Sequence, residues 1–256
     1  MRSAKIIPLA GHEDMCSECG LTAQCLSKDP ADSDELHAFE IPATPRVLRR
    51  GEHLFRTGQP FESIIVLRSG AVKTYMISLG GKEQVVGFHL PGDLLGIDSV
   101  ESGEHMCNAV ALDTCSFCTL PFDKLMRLCA RSRTIQYRLF SRVSRTILHG
   151  ENMLLTLGQK SAEQRVAAFL LRLLRRQAER GYSTTEINLP MARADLASYL
   201  ALAVETASRV LTRLQEAGVL SVRRSQVQIL DIEALGQAAE ERIDDLLRSD
   251  HQRQVR

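Results

Sequence analysis

Three cysteines near the start of the chain, Cys16, Cys19 and Cys25, stand at the spacing C-x2-C-x5-C. Three thiolates from one short segment can grip three corners of a metal centre, and a fourth donor must then come from elsewhere in the fold. Cys107, Cys115 and Cys118 cluster near the middle of the chain and are the candidates, while Cys129 stands apart. In the strand-like run DTCSFCTLPF, Cys115 and Cys118 are an odd number of residues apart. Their side chains therefore face opposite sides, and only one can aim at the N-terminal segment. Periodicity does not choose between them. For Cys107, Cys115 and Cys129 the plain reading is a small buried thiol. A C-x-x-C pair also serves thiol oxidoreductases, but there it opens a helix after a βαβ strand. Here Pro8 and Gly11 precede Cys16, with no strand pattern before it. Neither a nucleophile–base pair nor a phosphate-binding glycine loop is found, so an enzyme is not expected.

The second chemistry-bearing stretch is 193–220, RADLASYLALAVETASRVLTRLQEAGVL. Leu196, Tyr199 and Leu200 give one short helix an apolar face, and Val210, Leu211 and Leu214 do the same for a second. Such a pair packs at a steep angle, as a helix-turn-helix requires. Val204, Glu205, Ser208 and Arg209 fall at i, i+1, i+4 and i+5, one outward surface at the N-terminal end of the second helix. In a major groove, Arg pairs with guanine and Glu accepts from a cytosine amino group. Thr206 and Arg213 are placed for phosphates. The competing reading makes Glu205 and Arg209 a solvated i,i+4 pair worth about 0.3 kcal/mol.

The elements that must position these residues follow from the pattern on either side. Residues 1–35 show no sustained periodicity. From about Arg46 to Phe122 short runs rich in β-branched residues, 63–68 (SIIVLR), 71–75 (AVKTY) and 84–90 (QVVGFHL), alternate with glycine turns, which predicts a small barrel, roll or sandwich. From Ile135 the period is helical. Phe140, Val143, Ile147, Gly150, Leu154 and Leu157 alternate spacings of three and four, the seam of a two-stranded coiled coil and hence of a homodimer. The alternative is one long helix packed on its own domain. A helix at 162–178, a strand-like piece at 186–189, the helix pair and two short strands at 219–223 and 227–230 complete the order of a winged helix-turn-helix. The expected fold is α+β, divided as 1–35 cysteine-rich segment, 36–130 β-roll, 131–160 dimerisation helix, 161–232 winged helix-turn-helix and 233–256 charged tail.

Composition agrees with a soluble chain of two domains: 256 residues, 44% hydrophobic and 25% charged. Net charge is only +1. Between Ser161 and Leu230, however, ten arginines face six acidic residues, which permits nucleic-acid binding without proving it. No apolar run reaches membrane-spanning length, and 1–11 lacks a full signal-peptide region, so a cytoplasmic location is expected. Seven cysteines in an unexported chain point to reduced thiols or metal ligands.

The run ETASRVLTRLQEAGVL (205–220) closely resembles the recognition helix of the cAMP receptor protein family. GFHLPGDLLGID (87–98) looks like the effector-domain turn of the same family. The likeness spans about 46–230 and implies an N-terminal β-roll, a long dimerisation helix and a C-terminal winged helix. Two departures stand out: Ala201 where family members carry Gly at the turn, and Ala203 where they carry Ser or Thr before the recognition helix. Each costs about 1 kcal/mol. Cyclic-nucleotide binders of the family hold the phosphate with an Arg-Ser pair, and here Met106-Cys107 stand in that place. No arginine occurs between Arg68 and Arg127. Cyclic AMP is therefore not expected.

The cysteine arrangement is similar to that of the oxygen-responsive fumarate and nitrate reduction regulator (FNR) branch. There the N-terminal trio combines with a Cys just ahead of Leu/Ile-Pro-Phe to hold a four-iron, four-sulfur (4Fe-4S) cluster, which makes Cys118 the fourth ligand beside Cys16, Cys19 and Cys25. The resemblance further implies a homodimer that binds a palindromic TTGAT-type site in double-stranded DNA when the cluster is intact. It also implies contact with RNA polymerase through the loop 77–83. A zinc site with His12 or Cys118 as fourth ligand, or unoccupied cysteines in a regulator of another effector, is the alternative.

Overall fold

The structure is a computed structural model, and it describes residues 7–8 and 46–244. The chain divides into two compact units, Met1–His149 and Gly150–Arg256.

The first unit is a β-roll of two sheets. One sheet holds β1 (Ile7–Pro8), β2 (Arg46–Leu48), β4 (Ser63–Ser69), β7 (Leu94–Leu95) and β9 (Cys115–Pro121). The other holds β3 (His53–Phe55), β5 (Val72–Ile77), β6 (Glu83–His89) and β8 (Asn108–Ala111). Their orders are β1-β2-β9-β4-β7 and β3-β8-β5-β6, with every pairing antiparallel. β4 and β9 form the spine of the roll. The apolar run of β4 is buried on both faces because each face has its own partner. Ile65 and Leu67 point into the roll with Leu48, Phe55, Val72, Cys115 and Phe117. Ile64 and Val66 point the other way, with Leu120, under Leu125, Leu128, Ile135 and Leu139 of two helices. These are α1 (Phe122–Arg131) and α2 (Arg133–Gln159). Gly70, with φ +80°, closes the turn into β5, and a Cβ there would lie 2.5 Å from the Thr114 carbonyl. Only glycine fits.

α1 has no counterpart in the sequence reading, which begins the helical period at Ile135. α2 buries only Ile135 and Leu139. Of the seam residues, Phe140 (65%), Ile147 (57%) and Leu154 (72%) are largely exposed. Gly150 is also exposed, and Val143 and Leu157 are half-buried.

The second unit is built on α3 (Ala162–Ala178), which buries Val166, Phe169, Leu170, Leu171 and Leu174 among others. Ser161 caps it: the Gln164 N–H donates to Ser161 Oγ at 3.3 Å, and the Ser161 N–H donates to the Gln164 side chain at 2.6 Å. This capping box satisfies two donors that a bare helix end leaves open. β10 (Glu186–Asn188), α4 (Arg193–Tyr199), α5 (Val204–Glu216), β11 (Leu220–Arg223) and β12 (Gln226–Ile229) follow, with strand order β10-β12-β11. α6 (Ile232–Ala239) is capped by the Asp231 carboxylate and buries Leu235 and Ala239. Its contacts are with α3. A charged helix is expected after Asp231, and the helix found there packs into the core of this unit. The apolar spacing Ile232, Leu235, Ala239 carried that signal.

Candidate functional site

α4 and α5 pack through Leu196, Ala197, Tyr199 and Leu200 on one side and Ala207, Val210, Leu211 and Leu214 on the other, all buried. With one face of α5 committed inward, Val204, Glu205, Ser208 and Arg209 are left together in solvent at its N-terminal end. Thr206 is half-buried, and Arg213 is exposed with Glu163 at 3.5 Å, a surface pair too open to hold it firmly. Ala201 occupies the turn with φ +52°, the left-handed region. Ala203 caps α5 without a side-chain hydrogen bond. The strain and the missing cap expected of these two alanines are thus present.

α3 holds the pair from beneath. The Phe169 and Tyr199 rings meet edge-on at 5.9 Å. The Arg172 guanidinium lies over both rings and donates to the Tyr199 hydroxyl at 2.8 Å. The expected hairpin is formed by β11 and β12, and its turn carries two arginines not singled out from the sequence, Arg223 at the end of β11 and Arg224 with φ +57°. A basic dipeptide between two short strands was the available signal; such residues suit phosphates.

In the β-roll the four described cysteines divide by side. Cys115 is 1% exposed, its Sγ within 3.2 Å of the Ala71 and Asp113 carbonyls. Burial pushes its thiol pKa up despite those two hydrogen bonds. Cys107 is buried beside Asp98, and desolvation together with that carboxylate pushes its pKa up to about 12. Cys129 is carried by α1 and buried between that helix and the outer face of the sheet, and its pKa is also raised by burial. Cys118 pairs in register with Val66 and shares the parity of Leu120, so it lies on the outer, helix-covered face of the sheet, half-buried. Cys16, Cys19 and Cys25 lie outside the described residues.

The roll interior is lined mainly by apolar side chains. His105 stacks on Phe55 with centroids 3.8 Å apart and bonds Ser99 Oγ at 3.1 Å. Desolvation holds His105 below its ordinary pKa, against the smaller pull of Asp98. Among the described residues, the buried polar side chains of the roll are Thr74, Ser99, His105 and Asn108. None offers a fixed positive charge to a cyclic phosphate. Between β5 and β6 the loop 77–83 projects Ile77 and Leu79 into solvent. Among the described residues, no helix is long and apolar enough to cross a membrane.

Two family models match. Residues 45–132 match the cyclic nucleotide-binding domain and residues 164–238 the Crp-like helix-turn-helix domain. The chain is 41% identical over 216 residues to the transcriptional activator protein Anr of Pseudomonas aeruginosa, covering 84% of this chain and 88% of that protein. It is 37% identical over 224 residues to the fumarate and nitrate reduction regulatory protein of Escherichia coli, covering 88% and 90%. Among solved structures, FixK2 from Bradyrhizobium japonicum superposes with a TM-score of 0.70 at 31% identity, covering 77% of this chain and 97% of that one. The reading helix, the roll and these likenesses together place the chain in the CRP/FNR family of DNA-binding transcription regulators.

Proposed function

We propose that this regulator is oxygen-responsive, and that it binds a palindromic TTGAT-type site as a homodimer when a 4Fe-4S cluster is held by Cys16, Cys19, Cys25 and Cys118. The observation that carries the reading is one of register. β1 pairs with β2 so that Pro8 faces Arg46, and Arg46 faces Phe117 on β9. Pro8 and Arg46 therefore stand on a single rung, one residue from Cys118. The antiparallel run of both strands directs the end of β1 and the start of β2 toward the Cys118 rung. Pro8 lies about 10 Å from β9, two strands away. The eight residues from Pro8 to Cys16 reach up to about 28 Å, ample for the trio to approach.

The donor set fits such a group. Cys107, Cys115 and Cys129 are buried, whereas Cys118 is half-buried on the outer face of the sheet. When bound, an iron–sulfur cluster supplies a redox-labile link that oxygen can break. The chain's own residues do the rest. Cys118 stands two residues from Leu120, which packs with Ile135 and Leu139 at the root of α2. The outer face is thus mechanically continuous with the helix that carries the dimer seam. The exposed stripe of Phe140, Ile147 and Leu154 is covered by the same stripe of a second copy, with Gly150 allowing close approach. Arg209 and Glu205 then read guanine and cytosine edges, Ser208 assists, Val204 meets a thymine methyl, and Thr206 and Arg213 hold phosphates. RNA polymerase meets the exposed loop 77–83.

Anaerobic purification tests this. A brown dimer absorbing at about 400 nm, bleaching in air with parallel loss of binding to the palindrome, is the expected outcome. A colourless anaerobic protein that binds the site regardless of air would overturn it.

A further inference from the structure

α2 ends at Gln159 and the turn between α4 and α5 begins at Leu200, and one side chain bridges them. Arg165, in the first turn of α3, donates from Nη2 to the Leu157 carbonyl at 2.8 Å and from Nε to the Lys160 carbonyl at 2.9 Å. Its Nη1 donates to the Leu200 carbonyl at 3.1 Å and reaches the Ala201 carbonyl at 3.5 Å. Leu157 lies in the last turn of α2, where carbonyls have no helical N–H to accept. Leu200 ends α4, and Ala201 is the strained turn residue.

We propose that Arg165 is a positioning residue that fixes the recognition helix relative to the last turn of α2, and thereby sets which half-site spacing the dimer accepts. The proposal rests on the dimer reading above. A guanidinium is a rigid planar fork, so bonds from three of its nitrogens fix direction as well as distance. A lysine ammonium carries the same charge but is a point on a flexible stem. The packing of α4 on α3 through Phe169, Arg172 and Tyr199 does not involve Arg165. Of the seam residues, Leu157 meets Arg165 through its backbone carbonyl, which leaves its side chain to the seam. Removing it loosens the joint while leaving the reading face and the dimer helix intact.

The spacing requirement gives the readout. One base pair moves a half-site by about 3.4 Å and turns it by about 35°. The full-length chain, purified anaerobically, is measured as wild type, R165A and R165K on palindromes with the half-sites at the preferred spacing and one or two base pairs closer or farther. Sedimentation and thermal melting are followed in parallel. Wild type is expected to prefer one spacing sharply. R165A is expected to remain a dimer, to bind the best palindrome roughly tenfold more weakly, and to bind the shifted ones nearly as well as the best. R165K falls between them. An equal loss at every spacing, or an unchanged preference, overturns the proposal. If R165A does not fold, R165K decides: a flattened preference supports the proposal and a wild-type preference overturns it. A monomeric wild type overturns the dimer reading and the proposal with it. A selective dimeric wild type matched by selective Arg165 variants overturns the proposal alone.

Discussion

The β-roll and the winged helix dispose of their polar side chains in opposite ways. In the roll, Thr74 bonds His89 at 2.9 Å, Ser99 bonds His105 at 3.1 Å, and Asn108 accepts from the Thr57 N–H at 3.3 Å. In the winged helix, Glu205, Ser208 and Arg209 turn their donors and acceptors to solvent. A surface that reads a partner keeps its hydrogen-bonding groups for that partner. An interior whose polar groups already satisfy one another has little to offer an anionic ligand. The proposed cluster would accordingly address the roll from its outside, where Cys118 is half-buried, while Cys107 and Cys115 are enclosed in the interior.

The sharpest way to break this contrast is to exchange the two cysteines of β9. Cys118→Ser should abolish cluster assembly, and with it oxygen-dependent binding, while leaving the melting temperature of the cluster-free chain nearly unchanged. Cys115→Ser should assemble the cluster and cost about 1 kcal/mol of stability, because only packing inside the roll is disturbed. Absorbance of anaerobically purified protein and thermal melting decide it, and the reverse pattern would move the fourth ligand into the core. On the other side of the comparison, Arg209→Ala should cost about 1–3 kcal/mol on the specific site and almost nothing on scrambled DNA. Equal losses on both would reduce Arg209 to a phosphate contact.

The same contrast explains what could be read before the fold was known. The helix pair was legible residue by residue, because an exposed reading face beside a buried one leaves a helical period in a single stretch: Leu196, Tyr199, Val210 and Leu214 inward, Val204, Glu205, Ser208 and Arg209 outward. The strands β4, β5 and β6 were legible from their β-branched runs. Alternation also put Cys115 and Cys118 on opposite faces of β9, but not which face is inside. That depends on Val66 and Leu120 meeting α1 and α2 across the sheet, a pairing between distant segments. The rung joining Pro8, Arg46 and Phe117 is likewise a long-range register, invisible to local periodicity. α1 was missed because its ten residues follow directly on a strand and carry no capping side chain at Pro121. Arg165 reads as one of ten arginines until the fold brings its guanidinium to four carbonyls.

The smallest predicted effect probes the turn itself. Ala201 at φ +52° carries a Cβ against its own backbone in a conformation that glycine adopts freely. Ala201→Gly relieves that strain and adds some freedom to the unfolded chain. Relief of the strain outweighs the added freedom, so a net gain of about 1 kcal/mol is expected. In thermal unfolding of the cluster-free chain this is a rise of a few degrees. The contacts to Arg165 are made by backbone carbonyls, which glycine keeps, so affinity and spacing preference on the palindrome should not change. A lower melting temperature would mean that Ala201 is held without strain. An altered spacing preference would mean that the alanine methyl, rather than the carbonyls beside it, sets the entry angle of α5.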